Sequence, residues 1–517
     1  MSKLRPTLRR GRGTGIDSGA STSEVSPGGP ADTAADLRGK ALSAVALVAG
    51  RNVVLKVVAL LGYVVFARLL SPESLGTVAF GLTVLVSAQL LSDGGLGVGL
   101  IRGPVEPRPE DLSALLGFQL LLTTSLAIVI AVTAVAGPFG LAGLVTAVMM
   151  PALPLLALRT PSTIVLERSL SYGPLVRVEI AEELSFYLWA TATLLLGAGV
   201  WGLASAAVLR ALVGTVVILS VSPVARLFPT LSWKRLKPML GFGIRFQATS
   251  LANAAGEQLL NLGIAVFGSF AVLGLWTLTQ RLAQLPFLLF NALWRVSFPA
   301  TARLMSAGES AREMIERGLG LAAVATGAIL APATGAVSPL IPLIFGSRWS
   351  PVANVLPLVF FALQASGPVS VATVGYLYAV GDTGAVLRAA TATSVVWLVV
   401  TLPLLAPLGL VAVGLGWMIS SFVEIPILAT PVHRRTGAPI VRPILAPWVS
   451  ATVGGACGLL VSREVSHGVI AALLGAGVAI CIYTAPMAFL RRDEALTIWR
   501  LTKRVIRPGA RQATVPS

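Results

Sequence analysis

The sequence predicts an all-α integral membrane protein of about fourteen transmembrane helices, arranged as two related six-helix bundles followed by two further helices. Three observations predict it. Of the 517 residues 55% are hydrophobic and only 12% charged, with a mean hydropathy of +0.84, a charged fraction about half that of a soluble domain. Apolar runs long enough to cross a bilayer as helices, roughly 20 residues each, recur from residue 43 to residue 490. Most of the 39 Lys and Arg residues lie in the two tails and in every second connection between those runs, the distribution that the positive-inside rule produces.

In chain order, residues 1–40 are rich in Ser, Gly, Pro, Thr and Arg without an apolar period, and are expected to be a disordered basic cytoplasmic tail. No cleavable signal sequence is recognisable, so the first apolar segment is expected to direct insertion. An N-terminal bundle is expected over 41–225, with spans at 43–69, 75–100, 112–136, 140–160, 174–197 and 201–222. A basic cytoplasmic linker, 226–240, leads to a C-terminal bundle over 241–432, with spans at 241–268, 271–299, 317–337, 350–380, 385–406 and 409–430. Residues 433–490 supply two additional spans, 443–462 and 468–490, and 491–517 form a second basic tail. Alternate connections carry Arg102 and Arg108, then Arg159, Arg168 and Arg177, then Arg226, Lys234, Arg235 and Lys237, whereas the opposite connections carry only Arg348 and Arg463. Both termini are therefore expected in the cytoplasm of a cell whose plasma membrane the chain crosses an even number of times.

The two-bundle expectation rests on an internal repeat. Leu75-Gly76 recurs as Leu273-Gly274, Pro138-Phe139-Gly140 as Pro339 through Gly346, Gly173 with Arg177 as Gly384 with Arg388, and Gly202 as Gly414. The offset drifts slowly, from roughly 198 to 212 residues, as two divergent copies of one unit would show. Both copies start on the same side of the membrane, which makes the repeat parallel.

Composition also excludes functions. A net charge of +17 would suit nucleic acid, but no soluble basic module exists to carry it. Anionic lipid headgroups explain the charge better. Cys457 and Cys481 lie in apolar runs, and His433 and His467 lie in loops without further ligands at metal spacing, so neither a disulfide framework nor a metal site is expected. There is no Gly-Lys-Ser/Thr phosphate loop, and the outer connections are too short to build a catalytic site. The chain is expected to be no enzyme and to hold no cofactor.

Function is sought among the polar residues inside the spans. The seventh span repeats Arg245, Thr249, Asn253, Glu257 and Asn261 at i, i+4 spacing, with Gln258 alongside, which stacks them on one helix face. In the eighth, Thr277, Gln280, Arg281, Gln284 and Asn291 fall in a sector of roughly 100°. The first carries Arg51, Asn52 and Lys56. Such groups can merely join helices by hydrogen bonds, but an arginine as deep as Arg281 more often faces a cavity or pathway. Interior cations, Arg51, Lys56, Arg210, Arg245 and Arg281, outnumber the interior acids Glu257 and Glu424. A cavity so lined attracts an anion, and the planar guanidinium suits phosphate. Arg68 is expected as an interfacial anchor, and Asp93, Glu179, Glu182 and Glu183 as partners of loop arginines. Arg210 receives no assignment.

The stretch Phe66-Ala67-Arg68-Leu69-Leu70-Ser71-Pro72-Glu73-Ser74-Leu75-Gly76, with Leu91-Ser92-Asp93-Gly94-Gly95-Leu96 and Leu100-Ile101-Arg102, resembles the opening of the polysaccharide repeat-unit flippases. These form the Wzx-type and polysaccharide-exporter branch of the superfamily that also contains MATE exporters and lipid II flippases. The resemblance implies a MATE-like, V-shaped transporter that moves an undecaprenyl-pyrophosphate-linked oligosaccharide from the cytoplasmic to the outer leaflet, by alternating access, for the biosynthesis of a surface polysaccharide such as lipopolysaccharide or exopolysaccharide. It implies as partners the lipid-linked oligosaccharide and membrane lipids, with a polysaccharide polymerase and glycosyltransferases as further candidates. In such proteins the first, seventh and eighth helices bound a cationic cavity. Arg51, Lys56, Arg245 and Arg281 are then the candidates for the anionic head group, and Asn253, Gln258, Gln280 and Gln284 for hydrogen bonds to sugars. Glu257 is the candidate for ion coupling. These residues follow from position and chemistry, since no cavity motif is matched. Two alternatives stay open, a MATE-type cation-coupled drug exporter and a non-transporting scaffold of a glycan-synthesis complex. The first is disfavoured by Arg51 and Lys56, in a span where such exporters often carry an acid.

Overall fold

The computed structural model describes residues 55–93, 106–222, 227–237, 255–286, 310–465 and 468–490, with 97, 100, 101 and 224 between them. Of the sequence-derived candidates, Arg51, Arg245 and Asn253 lie outside the described residues. All regular structure among the described residues is helical. Hydrocarbon offers backbone groups no partners, so each segment closes its own hydrogen bonds.

The first half comprises α1 (55–69), α2 (Pro72–Asp93), α3 (Pro109–Ala136), α4 (Gly140–Met149), α5 (Ala152–Leu158), α6 (Thr160–Arg168), α7 (Tyr172–Leu195) and α8 (Val200–Val221). The second comprises α9 (255–263, continued by a π-helical turn Ile264–Gly268), α10 (270–286), α11 (Ala311–Phe345), α12 (Val352–Ala379), α13 (Thr383–Leu408) and α14 (Leu410–Thr436). Helices α15 (Val441–Glu464) and α16 (Val469–Leu490) follow. Ten candidate spans among the described residues are long and apolar enough to cross a membrane. Helix α7 is long enough but is not among them; it carries Arg177, Glu179, Glu182 and Glu183.

Two elements differ from the sequence expectation, both because of proline. The segment expected over 140–160 breaks between α4 and α5 at Pro151, and again before α6, where Pro161 sits in the first turn. Proline has no N–H for the helix interior but fits the first turn. The segment expected over 317–337 is the single helix α11, running to Phe345 with Pro332, Pro339 and Pro342 inside it and ending at Gly346, φ 104°. The prolines that read as a stop are absorbed, as membrane helices allow when neighbours satisfy the freed groups.

The glycines just before α8 and α14 share backbone geometry. Gly199 precedes α8 with φ 54°, ψ −133°, and Gly409 precedes α14 with φ 53°, ψ −127°, a region that glycine alone enters without steric cost. Gly76 and Gly274 meet each other. A Cβ on Gly76 would lie 1.6 Å from the Phe270 carbonyl oxygen, and one on Gly274 would lie 1.9 Å from that of Pro72. The contact is reciprocal and brings the α2 and α10 backbones together. At this end of the helices Arg68 does not serve as a simple interfacial anchor. It donates to the carbonyls of Leu343 and Ile344, Nε to the latter at 2.7 Å, and so satisfies the open C-terminus of α11. Trp349, fully buried, donates its Nε1–H to the Ala67 carbonyl at 2.8 Å.

The part of the expected linker that is described is strapped to the start of α3. Thr230 N–H donates to the Ser113 carbonyl at 3.0 Å and Arg235 pairs with Asp111 at 2.8 Å. Helices α15 and α16 pack on α11 through small residues. A Cβ on Gly335 or on Gly458 would come within 2.4 Å or 2.3 Å of the Gly475 carbonyl oxygen, and Tyr483 donates its hydroxyl to the Val324 carbonyl at 2.7 Å. Close backbone approach of this kind is what glycine supplies between membrane helices.

Candidate functional site

Two adjoining cavities lie between the halves. The larger, of about 410 Å³, is lined by α1, α2, α5, α7, α8 and α10, and contains Lys56, Gln89, Arg159, Glu182, Glu183, Arg210, Arg281 and Gln284 among polar groups. The smaller, of about 210 Å³, takes Thr83 from α2, Glu257, Gln258 and Asn261 from α9, and Thr277, Gln280, Arg281 and Gln284 from α10. Tyr63, Phe186, Arg281 and Gln284 line both, so the cavities meet at the Arg281 side chain. The described part of the seventh-span stripe, Glu257, Gln258 and Asn261, thus shares one polar space with Thr277, Gln280, Arg281 and Gln284 of the eighth.

The larger cavity is charged. Its described cations are Lys56, Arg159, Arg210 and Arg281, against Glu182 and Glu183. Arg159 pairs with Glu182, and Arg210 Nη2 lies 2.7 Å from Glu183 Oε1. Among the described residues neither Lys56 nor Arg281 has an acidic partner at ion-pair distance. The Arg281 guanidinium instead rests on the Tyr63 ring, 4.7 Å from its centroid, a cation–π contact that holds the side chain without neutralising it. Beneath lies an aromatic cluster. Phe66 stacks on Tyr187 at 5.8 Å, and Phe186 meets Tyr187 edge-on at 5.2 Å.

The smaller cavity carries one charged group of each sign, Glu257 and Arg281, among neutral polar side chains. Gln280 Nε2 donates to Glu257 Oε1 at 3.2 Å, and the buried Asn261 Oδ1 has no hydrogen-bond partner among the described residues. Of the sequence candidates, Lys56, Arg281 and Gln284 line the charged cavity, while Glu257, Gln258 and Gln280 join Arg281 and Gln284 in the polar one.

Sequence reasoning missed part of the lining. Arg210, unassigned there, and Glu183 form an ion pair at the cavity wall. Glu182 and Arg159 pair as acid and loop arginine were expected to, yet they too line the cavity. An acid doublet in one span and a lone arginine in the next was the available signal. That α7 and α8 turn these charges toward α1 and α10 is not legible from periodicity. Elsewhere polar groups serve the fold. His433 Nδ1 lies 2.8 Å from the Ala438 carbonyl oxygen, and Cys457 and Cys481 are free thiols. No cluster of three or more metal-binding side chains occurs among the described residues.

The fold is that of known transporters. A structure of lipid II flippase MurJ in an inward closed conformation superposes with a TM-score of 0.71 at 14% identity, covering 86% of this chain and 98% of that one. An inward-facing multidrug resistance MATE family transporter of the MOP superfamily gives 0.54 at 17% identity, covering 74% and 94%. The chain is thus a multi-pass membrane protein with a fold like that of MurJ and the MATE transporter. It belongs to the polysaccharide biosynthesis protein family, whose profile matches residues 65–354. A curated relative, the succinoglycan biosynthesis transport protein ExoT of Rhizobium meliloti (strain 1021), is 27% identical over 339 residues, 62% of this chain. The chain spans 66%, just under two thirds, of that relative's length.

Proposed function

We propose that the protein is a flippase that carries a lipid-linked oligosaccharide, with an undecaprenyl-pyrophosphate-type anchor, from the cytoplasmic to the outer leaflet of the plasma membrane for surface polysaccharide synthesis. The observation that carries this reading is that Lys56 and Arg281, which have no acidic partner among the described residues, line a charged cavity, and that Arg281 also lines the adjoining cavity of mainly neutral polar side chains. A diphosphate flanked by sugars has the same two-part chemistry. Its phosphates suit Lys56 and Arg281, together with Arg51 and Arg245, and its hydroxyls suit Gln258, Gln280 and Gln284, together with Asn253. Glu257, hydrogen-bonded to Gln280, is the candidate for ion coupling. Cations at the wall are wrong for a cationic drug, and an inert scaffold has no need of a polar cavity inside the bilayer.

In this reading fourteen spans form two six-helix bundles, 41–225 and 241–432, with the last two helices added to the second. Both termini face the cytoplasm, and the bundles expose the cavity to the two sides in turn. The reaction is translocation, with no covalent chemistry, and a polymerase and glycosyltransferases would act before and after it. The test is export of surface polysaccharide in cells carrying Lys56→Gln or Arg281→Gln at normal protein levels. A loss of at least about tenfold in each is expected, the order of one charge-assisted contact. Normal export in both would exclude the cationic-site reading.

A further inference from the structure

The two ion pairs of the charged cavity differ in a way that points to different roles. Glu182 is locked. Its side chain is 9% exposed, and it lies against Gly214 of α8, where a Cβ would sit 2.0 Å from its Oε1. Glu183, the next residue on α7, keeps 21% of its side chain exposed and its partner Arg210 keeps 43%, with both on the cavity wall. Arg281 lines the same cavity. Glu183 therefore holds Arg210 at the cavity wall from an accessible position, where a second anion can compete for it.

We infer that Glu183 is a resident counter-anion and Arg210 a ligand-binding cation held in reserve, so that an entering phosphate group displaces Glu183 from Arg210 and Glu183 returns when the ligand leaves. This rests on the reading of the cavity as a diphosphate site. It adds a subsite on α7 and α8 to the residues assigned on the first, seventh and eighth spans. The competing carboxylate weakens binding, which a carrier requires because it must release what it binds. Glu182, cradled by Gly214, does not exchange; it holds Arg159 in place.

The test is binding to the full-length protein in detergent, by calorimetry, with inorganic pyrophosphate and with geranylgeranyl diphosphate, and with geranylgeraniol as the phosphate-free control. Glu183→Gln is expected to tighten diphosphate binding about tenfold, the order of one competing charge-assisted contact. Arg210→Gln is expected to weaken it. In the Glu183→Gln/Arg210→Gln double variant the gain should vanish, since the two residues act on one contact. Glu182→Gln should give no gain. A gain in both probes assigns the diphosphate itself as the recognised chemistry, and a gain confined to the geranylgeranyl compound assigns a lipid head group. If the wild type binds diphosphate and Arg281→Gln abolishes binding, but Glu183→Gln binds no tighter than wild type, the counter-anion role is overturned and the cavity reading stands. A gain that survives in the double variant also overturns it. If the wild type binds neither diphosphate, both readings fall.

Discussion

Helices α1, α2 and α10 build two opposite environments along their length. Toward Gly76 and Gly274 the α2 and α10 backbones meet directly, while further along all three helices line the charged and polar cavities. At the glycine end, contact is made by removing side chains and by satisfying backbone carbonyls with Arg68 and Trp349. In the cavities the same helices carry long polar side chains that find few partners of their own. The first region is built to fit itself and the second to fit something else. On the reading proposed above, a carrier needs both, a seal that closes without a ligand and a cavity whose cations are free or exchangeable when one arrives.

Substitutions should separate the two regions. The largest effect is expected for Gly76→Val, because any Cβ there meets the Phe270 carbonyl oxygen at 1.6 Å and neither backbone can yield cheaply. Export should fall by at least about tenfold and stability by about 1–3 kcal/mol, as for overpacked interiors, read as a lowered melting temperature. Unchanged melting would mean that the seal is not a tight contact. Lys56→Gln and Arg281→Gln should show the reverse pattern, losing export while melting within about 0.5 kcal/mol of wild type. A comparable loss of stability would move them from the cavity's function to its structure.

Smaller effects test the ties around the seal. Trp349→Phe keeps the buried ring but leaves the Ala67 carbonyl without its donor, for an expected cost of about 1–2 kcal/mol in thermal unfolding. Arg68→Gln removes the charged cap on α11 at an exposed site, for which about 1 kcal/mol is expected by the same measurement. The smallest effect belongs to Asp382, remote from both regions. It accepts from the Ala385 N–H at 3.1 Å and pairs with Arg435 at 2.6 Å. The backbone bond first, and then Arg435, hold its carboxyl below the usual range. Its contribution is therefore present above the ordinary carboxylate pKa, about 3.9, and is lost as pH falls through the lowered native value. Asp382→Asn should lower the melting temperature slightly at neutral pH and remove this part of its further decline in acid, so that variant and wild type converge as pH falls through the lowered native value.

Helix membership was legible where residues were uniformly apolar, because one-dimensional hydropathy decides which segments enter a bilayer. It was less legible at proline. Pro151 and Pro161 break a segment that composition would join, while Pro332, Pro339 and Pro342 sit inside one that punctuation would cut. The same residue type gives both outcomes because its cost depends on whether neighbouring helices satisfy the freed carbonyls. In the cavity, Gln280, Arg281 and Gln284 were legible as one polar face, since helical periodicity is local. The Arg210–Glu183 pair was not, since it joins two helices.

The sequence by itself determined that this chain is a multi-pass helical membrane protein, that charge is segregated along it, and that Leu75-Gly76 recurs as Leu273-Gly274. These are properties of order and spacing, set by the bilayer and by the period of the helix. Only the tertiary structure decided that those two glycines touch, that Arg68 caps a helix more than 270 residues away, and that Arg159 and Arg210 find acidic partners among the described residues while Lys56 and Arg281 do not. Which cation meets which acid depends on the rotation and depth of each helix against its neighbours. Packing fixes those quantities, and spacing along one chain does not carry them.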